Sequence, residues 1–473
     1  MNRCMQRALV ILFLAVTAGF AADRSSTRAI GIARVDITPA FPVRLSGYAV
    51  RKTQATNVTQ RLWAKAFAIG SDRERPAILI TVDNTGVPKK VRDEVVRRLQ
   101  KKKLDPSRIT ICSTHTHAAP YLDGYLPTLF GEALPPAHQA NVQRYTLELI
   151  DSIEKVALAA LKDRKSGKLG WAQGRAGFAA NRRTKNGPVD HDLPMLAVTD
   201  AKGKLRAILV SYACHCTTLG GDFNELCGDW AGYAQEFLER EYPGVTALVA
   251  IGCGADANPQ PRGNLILARQ HGLEIATEVN RLLGVTIPSP GLPATLPPSD
   301  GERDGVRGHH KLKPVRGKLE SRAKEITILL DTPPTRVEFE TRAKQNDYVG
   351  YHARWTLAKL DRGEPLPTKI PYLIQTWNFG DDLALVFLPG EVVVDYSLRM
   401  KQEFDPARLW VNAYANDVPC YIPSERILNE GGYEGGGAMT YYGWPARIAP
   451  GVEALILGAV GELLPRHFRA EEK

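Results

Sequence analysis

Two histidines two residues apart, His115 and His117, close the segment ITICSTHTHAAP after an apolar run. On a strand, positions i and i+2 share a face, so the pair would present two imidazoles side by side, half of a metal site. The same spacing also occurs by chance, and the pair alone does not decide. A second run, AILVSYACHCTT, carries His215 between Cys214 and Cys216. Strand alternation turns both thiols away from the face of His215, which can therefore join a site that its neighbours cannot, or stand as a solitary hydrogen-bonded histidine. After LALVFLPGEVVVDYSLRM the chain turns at Pro389 and Gly390 and sets Glu391 at the start of an expected helix. A carboxylate there is either a ligand or an unremarkable helix-start acid.

The elements that must position these groups alternate between strand and helix, which predicts an α/β fold of mixed β-sheets flanked by helices. Short apolar or alternating runs mark strands at 63–68, 77–82, 109–113 and 205–213, and helical periodicity covers 91–103, 141–164, 233–241 and 265–283. Asp229, after Gly228, reads as the N-cap of the third of these helices. The stretch 288–316, rich in Pro, Gly and charge, reads as a long surface loop inside one large domain at 28–468, because candidate site residues lie on both sides of it. No internal repeat is present.

At 473 residues and 44% hydrophobic, the chain has material for a large core without staples. Arg3 and Arg7 precede an apolar run ending near Phe20 and the small residues Ala21 and Ala22, the pattern of a cleaved secretory signal over 1–22. Export to a periplasmic, cell-envelope or extracellular space is the expectation. The six cysteines beyond that segment read as small buried hydrophobes with at most one bridge. The net charge of +10 is dispersed, no nucleic-acid motif accompanies it, and no protein partner is implied.

The ordered set VDITP, THTHAAP, NRR at 181–183, VDHDLPMLAV, YACHCTT, CGDWAGYA, LPGE, ANDVPCYIPSE and GGYEGG resembles the neutral ceramidases, from about Gly31 to Leu464. That resemblance implies a zinc ion held by His115, His215, Glu391 and Tyr421, with His117, Arg182 and Tyr433 as the catalytic groups. It implies hydrolysis of the N-acyl bond of ceramide-like lipids, with His117 moving a proton and Arg182 and Tyr433 binding the oxyanion. Asn258 and Arg262 would shape a loop beside the site. Two departures accompany it. Where the family carries a Ser-Pro-Asn element, this chain reads Gly254, Ala255, Asp256, Ala257, Asn258, Pro259, without the serine. The extra C-terminal β-rich domain of longer members is not expected here.

These departures keep a second substrate class open: another acylated lipid, an acylated sugar or a peptide-like amide. A binding protein that has lost turnover is disfavoured by the full set of polar residues, and a two-metal amidohydrolase barrel by the small number of histidines, 10 in all. Tyr121, Tyr125, Leu126, Leu129 and Phe130 follow the His-x-His segment. Exposed, they would offer a peripheral membrane contact; packed on their own core, they would not.

Overall fold

A computed structural model describes residues 27–285 and 312–470. The expected signal segment and most of the expected surface loop lie outside those residues. In chain order the strands are β1 Arg28–Asp36, β2 Trp63–Ile69, β3 Ala77–Val82, β4 Ile109–Ser113, β5 Lys165–Arg175, β6 Ala179–Asn181, β7 Asp192–Asp200, β8 Leu205–Tyr212, β9 Thr246–Ile251 and β10 Ala257–Pro259. They continue with β11 Lys313–Val315, β12 Leu319–Leu329, β13 Lys369–Phe379, β14 Leu383–Phe387, β15 Glu391–Val392, β16 Leu409–Asn412 and β17 Tyr421–Ile422. The helices are α1 Lys89–Gln100, α2 Pro136–Lys162, α3 Asp229–Glu241, α4 Leu265–Leu282, α5 Arg336–Arg342, α6 Tyr348–Asp361, α7 Val394–Glu403, α8 Glu425–Glu430 and α9 Val452–Leu463.

Two sheets pack face to face. The larger runs β4-β3-β2-β1-β5-β7-β8-β9, with β11 also on β5, and the smaller runs β12-β13-β14-β16. Alternate residues explain the packing. Phe67, Leu79, Trp171 and Leu209 of the large sheet meet Trp377, Phe387 and Trp410 of the small one in a single apolar cluster. The intervening residues, such as Ala64, Ala66 and Ala68 on β2 and Ile370, Tyr372 and Ile374 on β13, join the other cluster, in which α2 and α9 contribute their buried stripes. A strand covered on both faces has no polar side to show, which is why β14 reads as an unbroken apolar run and β3 as one broken only by the buried Thr81. The expected mixed α/β architecture is present.

Most connections are antiparallel, but four pairs are parallel: β3 with β4, β8 with β9, β14 with β16, and the short β15 with β17. The segments that carry His115, His117, His215, Glu391 and Tyr421 follow the C-terminal ends of β4, β8, β14 and β16, whereas Arg182 follows β6 and Tyr433 follows α8. They are stitched together by backbone: Ser113 N–H donates to Tyr414 O at 3.1 Å and Ala413 N–H to Ile251 O at 2.9 Å.

Two expectations need correction, and two open ones are decided. The end of the expected surface loop is ordered, since Lys313–Val315 pairs with β5 opposite Leu169 to Trp171. Asp229 is not a cap: Gly228 takes that position, and Asp229 turns to φ 53° so that its buried carboxylate accepts from Leu219 N–H at 2.9 Å and Trp230 N–H at 2.6 Å. Tyr121, Tyr125, Leu126, Leu129 and Phe130 are all buried, so these side chains pack on the core. The six cysteines are buried and unpaired. Among the described residues no helix is long and apolar enough to cross a membrane.

Candidate functional site

His115 and His117 do converge, though not for the reason the spacing gave. Strand β4 ends at Ser113, and His115 lies beyond it in the left-handed region at φ 58°. What aligns the histidines is a parallel bridge between Thr116 and Cys216, which lays the continuation of β4 beside that of β8. His215 also lies beyond its strand, and its N–H donates to Ala257 O at 3.0 Å. Glu391 is not at a helix start either. It opens the two-residue strand β15, paired in parallel with β17 so that Glu391 stands opposite Tyr421, and α7 begins only at Val394. A register pairing between residues thirty apart in sequence thus puts carboxylate and phenol together.

The polar tips meet at one point. Glu391 Oε2 lies 3.2 Å from His115 Nε2 and 3.0 Å from His215 Nε2, while Tyr421 OH lies 3.3 Å from His215 Nε2. The far side of each ring fixes its tautomer. His115 Nδ1 contacts Thr85 O at 2.6 Å and His215 Nδ1 contacts Gly254 O at 2.8 Å, so each Nδ1 carries the proton and donates it. Both Nε2 atoms then present lone pairs to a carboxylate oxygen. Three acceptors aimed at one another in a buried site repel unless a cation lies among them. Their separations also suit one, because ligands about 2.0–2.1 Å from a tetrahedral centre sit roughly 3.3 Å apart. Residues His115, His215, Glu391 and Tyr421 can therefore hold a small divalent metal.

His117 stands beside this group. Its Nε2 is 3.1 Å from His115 Nε2, and its buried Nδ1 has no hydrogen-bond partner. The three histidines form the cluster of metal-binding type among the described residues. Burial first, then the neighbouring imidazoles, hold His117 well below the usual histidine range, and burial followed by the Arg182 charge pushes His215 down to about 4. A neutral His215 ring at physiological pH is the form that ligates. His117 fits where it does because Gly47, at φ 85°, has no side chain: a Cβ there would come 2.3 Å from His117 Nδ1.

Arg182 approaches from the opposite wall. Its NH2 group donates to Tyr421 OH at 3.1 Å and its guanidinium carbon lies 5.5 Å from the ring centroids of both Tyr421 and Tyr433. The Tyr433 ring meets Tyr421 edge-on at 5.2 Å. A cavity of about 770 Å³ opens over the cluster, lined by His117, Arg182, Tyr421 and Tyr433 among others. Asn258 and Arg262 also line it, as expected of their loop. All seven predicted site residues are thus within one neighbourhood.

Two participants escaped the sequence reading. The buried Tyr442 hydroxyl donates to Glu391 Oε1, leaving Oε2 as the oxygen that faces the histidines. Glu434 binds the Arg182 guanidinium. Glu434 lies in the quoted GGYEGG motif and could have been singled out there, whereas nothing in YYGWP marks Tyr442.

The family model described as neutral/alkaline non-lysosomal ceramidase, N-terminal, matches residues 29–255. The family resemblance read from the motifs holds. Among ceramidase relatives, the chain is 25% identical over 285 residues to a neutral ceramidase of Drosophila pseudoobscura pseudoobscura, covering 54% of this chain and 39% of that protein. It is 24% identical over 285 residues to the neutral ceramidase of Pseudomonas aeruginosa, covering 56% of this chain and 42% of that protein. The matches thus span about two fifths of those relatives. In fold the chain is similar to the crystal structure of the Pseudomonas aeruginosa neutral ceramidase, with a TM-score of 0.68 and 19% identity over 95% of this chain and 76% of that one. A ceramidase described as complexed with C2 is similar at a TM-score of 0.67 and 19% identity, over 93% and 76%.

Proposed function

We propose that this chain is an exported zinc-dependent hydrolase that cuts the N-acyl bond of ceramide-like lipids, releasing a fatty acid and a sphingoid base. The observation that carries the metal part of this reading is the convergence of two proton-free imidazole nitrogens, His115 Nε2 and His215 Nε2, to within 3.2 Å of one carboxylate oxygen, Glu391 Oε2. The family match and the names of the relatives support the amide substrate.

His115, His215, Glu391 and Tyr421 would hold the zinc, which supplies Lewis-acid activation of water and of the acyl carbonyl. The protein's own groups do the rest. Arg182 is held with an N–H edge facing the cavity beside Tyr433, so both can donate to the oxygen on which negative charge develops. His117, neutral and with its Nε2 turned to the cluster 3.1 Å from His115 Nε2, would take a proton from water and return it to the leaving nitrogen. No serine nucleophile enters, in keeping with the absence of one in the 254–259 segment.

A second substrate class is favoured by one observation. Of the residues lining the cavity, Ala49 and Leu129 are the aliphatic ones, against Arg182, Arg183 and Arg262. A wall with three arginines, four tyrosines and few aliphatic groups suits a compact acylated sugar or peptide-like amide as well as a lipid head group. Release of fatty acid from N-acyl-sphingosine in mixed micelles, with and without a zinc chelator and beside a panel of short acyl amides and esters, separates the readings. Chelator-sensitive release from the sphingolipid is the expected result. Bound zinc with release only from the short panel would overturn the lipid assignment and leave the hydrolase.

A further inference from the structure

Glu434 makes a contact pattern that an ordinary surface ion pair does not. Its carboxylate is 4% exposed and is shared by two consecutive arginines: Oε1 accepts from Arg182 Nε at 2.7 Å and Oε2 from Arg183 NH1 at 2.6 Å. Arg183 is pinned in turn, its NH2 donating to Glu430 Oε2 at 3.1 Å and to Gly431 O at 3.0 Å. Glu434 is therefore anchored from one side and presents its other oxygen to Arg182.

The geometry of a guanidinium gives this anchoring a consequence. The group is planar, with its N–H bonds in a fixed fork, so fixing the Nε edge fixes the direction of the two terminal nitrogens. With Nε on Glu434, NH2 reaches Tyr421 OH at 3.1 Å and NH1 stands 3.5 Å from His215 Nε2. The Arg182 side chain is 21% exposed at the cavity wall. Unheld, this long side chain would have several rotamers to choose from.

We infer that Glu434 is a positioning residue, which aims the Arg182 guanidinium at the metal-side cluster and the cavity, with Arg183 acting as the brace that holds Glu434. The inference rests on the reading of Arg182 as an oxyanion donor. Glu434 lies at the edge of the cavity, but both its carboxylate oxygens are taken up by Arg182 and Arg183 and neither bonds a proposed ligand, so its effect on the cluster runs through Arg182.

Glu434→Gln is the direct test. An amide has one acceptor and one donor end, so it can satisfy Arg182 or Arg183 but sets a donor against the other. The expected result is a fall in kcat of about 10–100-fold, as for a catalytic group misplaced by about an ångström. KM should stay within about twofold and zinc content at the wild-type level. In an Arg182→Lys background the same change should cost nothing further, because both act through one group. Independent costs in the double variant, or a wild-type kcat in Glu434→Gln, would overturn the inference. Should the Gln variant fail to fold, Glu434→Asp keeps the charge one methylene back and should show the same kcat-only loss in milder form; an unchanged kcat there overturns the proposal. A crystal structure of whichever variant folds gives an answer independent of any substrate. Arg182 should leave Tyr421, and finding it still in contact would sink the positioning role. If the wild-type chain cleaves none of the amides tested, the function falls while this structural comparison still decides the role of Glu434.

Discussion

Tyr442→Phe removes one hydroxyl and keeps the ring. In the native structure that hydroxyl donates to Glu391 Oε1, and the two residues are 9% and 4% exposed, so water cannot readily replace the lost donor. The ring contacts, edge-on to Tyr125 at 6.2 Å and to Tyr421 at 6.3 Å, survive the change. The effect therefore isolates one hydrogen bond to a buried carboxylate, which is worth about 1.5–3 kcal/mol. If that energy orients Glu391 toward the histidines, its loss weakens metal binding by the same amount, or about 10–150-fold at 1.36 kcal/mol per decade. This range overlaps the about 10–100-fold that outer partners of metal ligands commonly contribute. Competition for zinc against a fluorescent chelator, on protein first stripped of metal, measures the change directly. A zinc Kd within twofold of wild type would refute the reasoning and mean that Glu391 is held by its strand pairing with Tyr421 rather than by Tyr442.

Other outcomes follow from the same geometry. His117→Ala should lower kcat by about 10²–10⁴-fold while zinc content stays unchanged; loss of zinc with modest loss of turnover would make His117 a metal-orienting residue instead. Gly47→Ala combines a Cβ at 2.3 Å from His117 Nδ1 with a backbone at φ 85°. It should cost about 1–3 kcal/mol in urea unfolding and reduce turnover, and an unaffected enzyme would show that His117 has room to move. Asp256, fully buried, has its carboxyl pushed up from 3.8 to about 6 by burial. Its folded pKa exceeds the unfolded one, so the stability it contributes is complete below about pH 4 and is lost as pH rises through about 6, roughly 3 kcal/mol at most. Urea unfolding of metal-free protein at pH 4 and pH 7 should show that component in the wild type and lack it in Asp256→Asn.

How much of this was legible in advance depends on the range over which the physics acts. Local signals fixed the elements. Ala77–Val82 and Ile109–Ser113 appear with the bounds their apolar runs gave, and α4 differs from its periodicity by one residue, because burial on both strand faces and a helical apolar stripe are written within a few consecutive positions. The types and order of the polar residues, read through the family resemblance, also named seven that lie together, His117, Arg182, Tyr421 and Tyr433 lining the cavity and His115, His215 and Glu391 beside them. What the chain's local pattern could not supply was the means of their meeting. Strand alternation offered a reason for His115 beside His117, yet both lie past the end of β4, and it is the Thr116 to Cys216 bridge that aligns them. Glu391 looked like the first residue of a helix, and only its pairing opposite Tyr421 shows it as part of a two-residue strand. Tyr442 and Glu434 act through side-chain hydrogen bonds to residues 51 and 252 positions away. Contacts of that separation leave no periodic trace in the chain, because they exist only once two sheets and their parallel strand ends have packed. The sequence determined which groups are available and which segments carry them; the tertiary structure decided which nitrogen and which oxygen face one another, since hydrogen bonds and metal ligation depend on distances of about 3 Å that only the packed fold defines.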